Sequence, residues 1–381
     1  MIYLDNSATT QPYPEVLKTY HTVAHKYFAN PSSIHGLGGE TERLLTQSRK
    51  RCAELIGVKP TELVFTSGGT EGNNIAIKGI ALEHQSRGKH LITTTIEHPS
   101  VDQSFKQLEK LGFEVTFLPV NEEGKVSSQD VQEALRDDTI LVSMIHVNNE
   151  MGTVQPIEEV AAILKDYPKI FFHVDNVQGL TKVPLLLKDV DLCTMSGHKV
   201  HGVKGSGLLY VREGVTLSPL FTGGIQEMQV RAGTENLPAI VAVTKALRLG
   251  FERMPSGIQK LEELKGELQK ELEEINGVVV NTPRNNSAPH IVNFSALGVK
   301  PEVLIHSLEE YNVYVSTKSA CSSKHADASK VIMAAGLGEE RAVSAIRLSM
   351  SFETTKEEVE LFLNALRAVL PKLQRIMGSS S

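Results

Sequence analysis

Between about residue 40 and residue 250, short apolar, β-branched runs alternate with longer stretches of helical spacing. The runs Leu63–Thr66, Leu91–Thr95, Val115–Leu118, Ile140–Ile145, Ile170–Val174, Asp191–Met195 and Gly207–Val211 predict strands. Asn73–Glu83, Val101–Leu111 and Ile157–Leu164 repeat their apolar positions with helical period between them. That alternation predicts an α/β domain with a mostly parallel seven-stranded sheet flanked by helices. Ligands in such sheets bind beyond the carboxyl ends of the strands.

The pattern changes at Met254-Pro255-Ser256-Gly257. A charged helix is expected at Leu261–Ile275, then strands at Val278–Asn281 and His290–Phe294, and a helix at Pro301–Glu309. A strand at Ile346–Ser351 and a closing helix from Thr355 to Leu370 complete a smaller α+β layer. The expected division is a large domain over 14–252 and a small one made of 1–13 and 253–381. A length of 381 residues agrees with two domains, since a single core rarely organises that much chain.

Composition is that of an ordinary globular protein, 41% hydrophobic and 22% charged. A net charge of −6 offers no electrostatic case for nucleic acid or an anionic membrane. The basic cluster Arg49-Lys50-Arg51 reads as the solvated face of a helix. Apolar stretches fall short of the roughly 18 residues that cross a bilayer, and Met1–Asp5 does not read as a secretory signal. Cys52, Cys193 and Cys321 are odd in number and far apart, which suggests neither a disulfide framework nor a zinc site. A cytoplasmic protein is expected. Gly378-Ser379-Ser380-Ser381 is set aside as a frayed tail.

Candidate chemistry collects at the ends of the predicted strands. Lys199 sits in Met195-Ser196-Gly197-His198-Lys199, and Asp175 closes Ile170-Phe171-Phe172-His173-Val174-Asp175. A carboxylate can keep a pyridinium protonated, and a desolvated lysine amine can bond a carbonyl. Together they suit pyridoxal phosphate, whose charged ring is an electron sink. Read singly, each is a surface lysine or a solvated aspartate. Thr66-Ser67-Gly68-Gly69-Thr70-Glu71-Gly72-Asn73-Asn74 joins a strand to a helix, either as a phosphate cradle or as a plain turn capped by Thr70. It matches neither the dinucleotide nor the nucleoside-triphosphate glycine motif.

His98, in Glu97-His98-Pro99-Ser100, can stack on a planar ring or move protons. Asn148 and Asn149 either bond a ring oxygen or shape a turn. His21 and His25 have i, i+4 spacing but no third ligand in view, so an exposed helix face is the reading. Cys321, in Ser319-Ala320-Cys321-Ser322, lies near Lys318, Lys324 and His325, a setting that favours a reactive thiol. Cys193 and Cys52 read as structural. Arg347 would grip a carboxylate, or else make an interdomain ion pair.

These residues resemble a known family nearly end to end: the cysteine desulfurases of the class V aminotransferase group, with the type I fold of pyridoxal-phosphate enzymes. Its markers are Tyr3–Thr10, Asn30–His35, Thr66–Asn74, Glu97-His98, Val147–Glu150, His173–Gln178, Ser196–Lys199, Arg231–Asn236 and Ser319–Cys321. The resemblance implies that Lys199 anchors the cofactor, Asp175 pairs with its ring nitrogen, and His98 stacks on the ring and moves protons. Gln178 and Asn149 would bond its phenolic oxygen. Gly69, Thr70, Ser196 and His198 would hold its phosphate, joined by Thr234 from a partner subunit, so a homodimer is implied. Arg347, helped by Asn30 or Ser32, would bind the substrate carboxylate.

Cys321 would then take sulfur from L-cysteine as a persulfide, releasing alanine, and pass it to an iron–sulfur scaffold or a tRNA-thiolating enzyme. The interval after Cys321 resembles the branch with the longer cysteine-bearing loop. A selenocysteine lyase, or another class V enzyme that does not need Cys321, is the alternative. Departures from the family pattern fall at Thr222–Val230, Asn176, Gly179 and Lys318.

Overall fold

The computed structural model of the chain describes residues 1–317 and 328–378. Its strands are β1 (Ile2–Tyr3), β2 (Leu63–Thr66), β3 (His90–Thr94), β4 (Glu114–Leu118), β5 (Thr139–Ile145), β6 (Phe171–Asp175), β7 (Leu192–Ser196), β8 (Gly207–Val211), β9 (Val278–Val280), β10 (Ile291–Ala296), β11 (Val313–Tyr314) and β12 (Ala345–Ser349). Its helices are α1 (Pro14–Lys26), α2 (Gly36–Ile56), α3 (Gly69–His84), α4 (Pro99–Lys110), α5 (Ser128–Ala134), α6 (Ile157–Leu164), α7 (Leu237–Glu273), α8 (Pro301–Glu309), α9 (Lys330–Ala334), α10 (Glu339–Val343) and α11 (Lys356–Gly378).

Seven strands form one sheet in the order β2-β8-β7-β6-β5-β3-β4. The pairs from β4 through β3, β5 and β6 to β7 are parallel, and β8 runs antiparallel to both its neighbours. Every residue of β5, β6 after Phe171, β7 and β8 is buried, because helices cover both faces. Alternate side chains feed two cores. Phe65, Ile92, Val142, Cys193 and Leu208 point into one, while Val64, Leu91, Leu141, Leu192 and Leu209 point into the other. All seven strands expected from the sequence are present, displaced by at most one residue at either end. The shift matters at two places: Asp175 and Ser196 are the last residues of β6 and β7.

The second layer is a three-stranded antiparallel sheet, β12-β10-β9, packed against α8, α11 and the second half of α7. The N-terminus belongs to this layer, since β1 pairs in parallel with β11 and Asp5 bridges Ser349. Ile2 and Leu4 enter its core alongside Leu264, Phe294, Leu348 and Phe362.

The expected break at Met254–Gly257 is corrected by the structure, because α7 runs unbroken through Pro255. One helix serves both layers: Leu237, Ile240, Val243 and Leu247 enter the large core, and Leu261, Leu264, Leu268 and Leu272 the small one. Burial on both sides offsets the hydrogen bond that the proline removes. Gly257 is there for room, since a Cβ would lie 2.4 Å from the Phe352 ring. The closing helix likewise extends past Leu370, through Pro371 to Gly378.

Candidate active site

A pocket of about 720 Å³ opens at the carboxyl ends of the central strands. Its lining includes Gly69, Thr70, His98, Asn149, Asp175, Gln178, Ser196, His198, Lys199 and Arg347, so ten residues named from the sequence converge there. Parallel pairing is the reason: β3, β5, β6 and β7 all end at one edge, and each delivers the residues just beyond it.

Asp175 is fully enclosed. One carboxylate oxygen accepts from Asn73 Nδ2 at 2.7 Å, and the other from the Val177 N–H at 3.0 Å. Burial raises its pKa, while His98, Asn73, Val177 and Lys199 pull the other way. His98 is the N-cap of α4, with Pro99 in the first turn, and its Nδ1 accepts from the Ser100 N–H at 3.1 Å. Burial holds His98 below the usual histidine range; Asp175 opposes this, and the charges of Lys199 and Arg347 add to it. His198 is pushed down to about 4 by burial and the cations Lys199 and Lys204.

At the other end of the pocket, α3 begins at Gly69 with Gly68 as its N-cap. Gly68 has no side chain to cap the first turn, so that turn's N–H groups favour an anion from outside. A Cβ on Gly69 would lie 2.8 Å from Val177 Cγ2, so only glycine fits under that turn. The Ser196 hydroxyl is buried beside it with no hydrogen-bond partner among the described residues.

The remaining wall comes from far away in the chain. Residues 7–11 form a strap across the Lys199 turn. Lys199 Nζ donates to the carbonyls of Ser7 (2.5 Å) and Ala8 (2.7 Å). Thr10 N–H donates to the His198 carbonyl, and Gln178 Nε2 to that of Ser7. From β12, Arg347 is 1% exposed; Nη1 donates to the Asn149 carbonyl at 2.9 Å and Nη2 to Asp5 Oδ1 at 3.0 Å. Arg347 therefore makes an ion pair between distant segments, and it also lines the pocket. Its Nε has no hydrogen-bond partner among the described residues. Behind the site, Lys182 is buried with Nζ on the Lys199 carbonyl at 2.9 Å, and burial pushes its pKa down to about 7.

The two asparagines part company. Asn148 shapes the turn, accepting from the N–H groups of Glu150 and Met151, while Asn149 lines the pocket. Thr234 is exposed and lines a neighbouring cavity with Arg231 and Glu227. Asn30 is exposed, accepts from the Ser32 N–H, and lies outside the pocket lining of this chain. Cys321 falls outside the described residues. Cys52 and Cys193 are buried, and burial pushes the Cys52 thiol up to about 11 and the Cys193 thiol higher still, so both are inert core residues. Sequence reasoning gave no role to Asp5, Ser7, Ala8, Asn73 or Ser100. Asp5, Ser7, Ala8 and Asn73 lie inside the motifs Tyr3–Thr10 and Thr66–Asn74, which signalled the site without assigning them a task, and Ser100 follows the His-Pro pair that starts a helix.

The family model described as aminotransferase class-V matches residues 2–362. A NifS/IcsS protein homolog of Lactobacillus delbrueckii subsp. bulgaricus is 46% identical, covering 99% of each chain. A protein named cysteine desulfurase IscS from Dictyoglomus turgidum is 43% identical over 98% of this chain and 96% of its own. A solved structure titled NifS-like protein superposes with a TM-score of 0.92 at 35% identity, over 98% of this chain and 100% of that one.

Proposed function

The chain belongs to the class-V aminotransferase family and to its cysteine desulfurases, which are pyridoxal-phosphate enzymes, and from that membership we propose roles for its own residues. Its substrate is L-cysteine, and its products are L-alanine and a persulfide on Cys321. The convergence of Lys199, Asp175, His98 and Arg347 on one pocket carries this reading.

The pocket suits pyridoxal phosphate. The uncapped start of α3, the unpartnered Ser196 hydroxyl and His198 form a donor set for its phosphate, with Gly69 and Thr70 as the floor. Asp175 would keep the ring nitrogen protonated, Gln178 and Asn149 would bond the phenolic oxygen, and Lys199 would anchor the carbonyl carbon. When bound, the cofactor draws electrons from the substrate α-carbon and so makes its proton acidic. Thr234, exposed in a single chain, would reach the site of a second copy, so the working form is a homodimer. Asn30 would assist the substrate carboxylate.

Arg347 holds that carboxylate, because its position is fixed by Asp5 and Asn149 while Nε remains for a further acceptor. His98 handles protons at the ring nitrogen that faces the pocket. The Cys321 thiolate attacks the substrate sulfur; an S–S bond forms as the C–S bond breaks, and a proton ends on the carbon that becomes the alanine methyl. The persulfide then passes to an acceptor protein, an iron–sulfur scaffold or a tRNA-thiolating enzyme, in the cytoplasm. The division into 14–252 and 1–13 with 253–381 is supported by separate hydrophobic cores on either side of it.

Replacing Cys321 with Ala tests the reading. Sulfide and alanine release from L-cysteine should fall by about 10²-fold or more, while the absorbance of the bound cofactor, abolished in Lys199→Ala, stays. Full activity in Cys321→Ala would favour a selenocysteine lyase or another class V reaction instead.

A further inference from the structure

We propose that Ser100 and Asn73 are positioning residues that fix the tautomer of His98, so that in the resting enzyme Nε2 carries the proton and faces the pocket as a donor. What that proton is used for rests on the desulfurase reading; the tautomer does not.

One proton in the cluster has a fixed place. The Ser100 backbone N–H points at His98 Nδ1 from 3.1 Å. A backbone N–H only donates, so Nδ1 holds a lone pair and the neutral ring must carry its proton on Nε2. Ser100 Oγ lies 2.8 Å from the same Nδ1, so its hydroxyl is the donor there. The oxygen of that hydroxyl accepts from Asn73 Nδ2 at 2.9 Å, and Nδ2 also donates to Asp175 Oδ2 at 2.7 Å. Both hydrogens of a single amide are thus committed, one to each neighbour. Turning the amide over would set its carbonyl oxygen against the carboxylate, so the orientation is fixed as well.

Asn73 and Ser100 are 1% and 8% exposed, and water does not compete for these bonds. The Asn73 amide therefore couples two groups with separate jobs, the Asp175 carboxylate and the His98 ring. Three charged groups bear on that ring: Asp175 at the end of β6, Lys199 after β7 and Arg347 from β12. Forming an imidazolium would set an N–H at Nδ1 against the Ser100 N–H. The Ser100 contacts hence act in the same direction as burial, and His98 stays neutral into the acid range.

Nitrogen-15 NMR of the imidazole reads the tautomer directly in the cofactor-free and cofactor-loaded enzyme, with the His98 signal assigned by its loss in His98→Gln. The expected spectrum has protonated Nε2 and unprotonated Nδ1. In Ser100→Ala the ring should take up its second proton at higher pH, and the acid limb of kcat/KM for L-cysteine should move upward with it. There kcat should fall about tenfold, with KM changing by less than about twofold. Ser100→Thr, which keeps the hydroxyl, should restore both the titration and the limb. Protonated Nδ1 in the wild type overturns the tautomer, and an unshifted titration in a folded Ser100→Ala overturns the positioning role of the Ser100 hydroxyl. A protein inactive on L-cysteine that shows the expected spectrum upholds the tautomer and overturns only the reaction.

Discussion

The two walls of the pocket are built by different means. The sheet-side wall is made of strand ends and the turns beyond them: Asp175 and Ser196 close β6 and β7, Gln178 and Lys199 lie three residues further on, and His98 comes after β3. Parallel pairing brings these positions together without any special device. The opposite wall is made of pieces with no local relation to one another. Asp5 meets Arg347 across 342 residues of chain, Arg347 meets Asn149 across 198, and Lys199 meets Ser7 across 192. The first wall is a property of the sheet. The second exists only when the N-terminal strap and β12 are both docked, so the carboxylate grip proposed for Arg347 depends on the whole fold.

Removing Arg347 should break that contrast most severely. Arg347→Ala leaves the Asp5 carboxylate without its ion-pair partner, which should lower stability by about 3 kcal/mol. It also removes the proposed grip on the substrate carboxylate, typically about 2–5 kcal/mol, so kcat/KM should drop by about 10³-fold. Cofactor absorbance should survive, because the sheet-side wall is untouched; loss of cofactor binding would show that the walls are not separable.

Lys182 sharpens the comparison from behind the sheet-side wall. Its folded pKa, about 7, lies below the 10.5 of an ordinary lysine. Between those values the unfolded chain holds a proton that the folded chain does not, so stability rises as pH climbs from about 7 to 10.5. Lys182→Met should be more stable than wild type at pH 7–8, by about 2 kcal/mol, with the gap closing toward pH 10.5. Urea unfolding at pH 7.5 and 10 measures it, and parallel slopes in the two proteins would count against a neutral buried amine.

The smallest effect is expected next door. Thr181 is buried with φ of 61°, a left-handed conformation that strains a β-branched residue. Thr181→Gly should gain about 1 kcal/mol, or about 2 °C in Tm, by calorimetry. No gain would mean that the Thr181 contact with Gly250 outweighs the strain.

Much of the sheet-side wall is legible in the chain. Runs such as Ile140–Ile145 announce a buried strand through apolar β-branched side chains, and polar residues straight after several of them mark one sheet edge. His173 shows where that rule needs the structure. It neighbours Asp175 in sequence, yet it bridges Ser143 and Thr194 inside the sheet, and burial pushes its pKa down to about 3. The helix through Pro255 is not legible, because a proline and a glycine punctuate most sequences. Here the glycine makes room for Phe352, and packing on two cores outweighs the proline.

The sequence by itself determined the alternation of strands and helices, the strand-end placement of Lys199, Asp175 and His98, and the family to which the chain belongs. Those features are encoded by periodicity and by short motifs, which act over a few residues. Only the tertiary structure decided that the Ser7 and Ala8 carbonyls hold the Lys199 amine, that Asp5 aims Arg347, and that Asn73 ties Asp175 to His98. Main-chain carbonyls leave no trace in residue identity. A side chain's partner is likewise chosen by which distant segments share a buried space, where an unmet hydrogen bond costs the most.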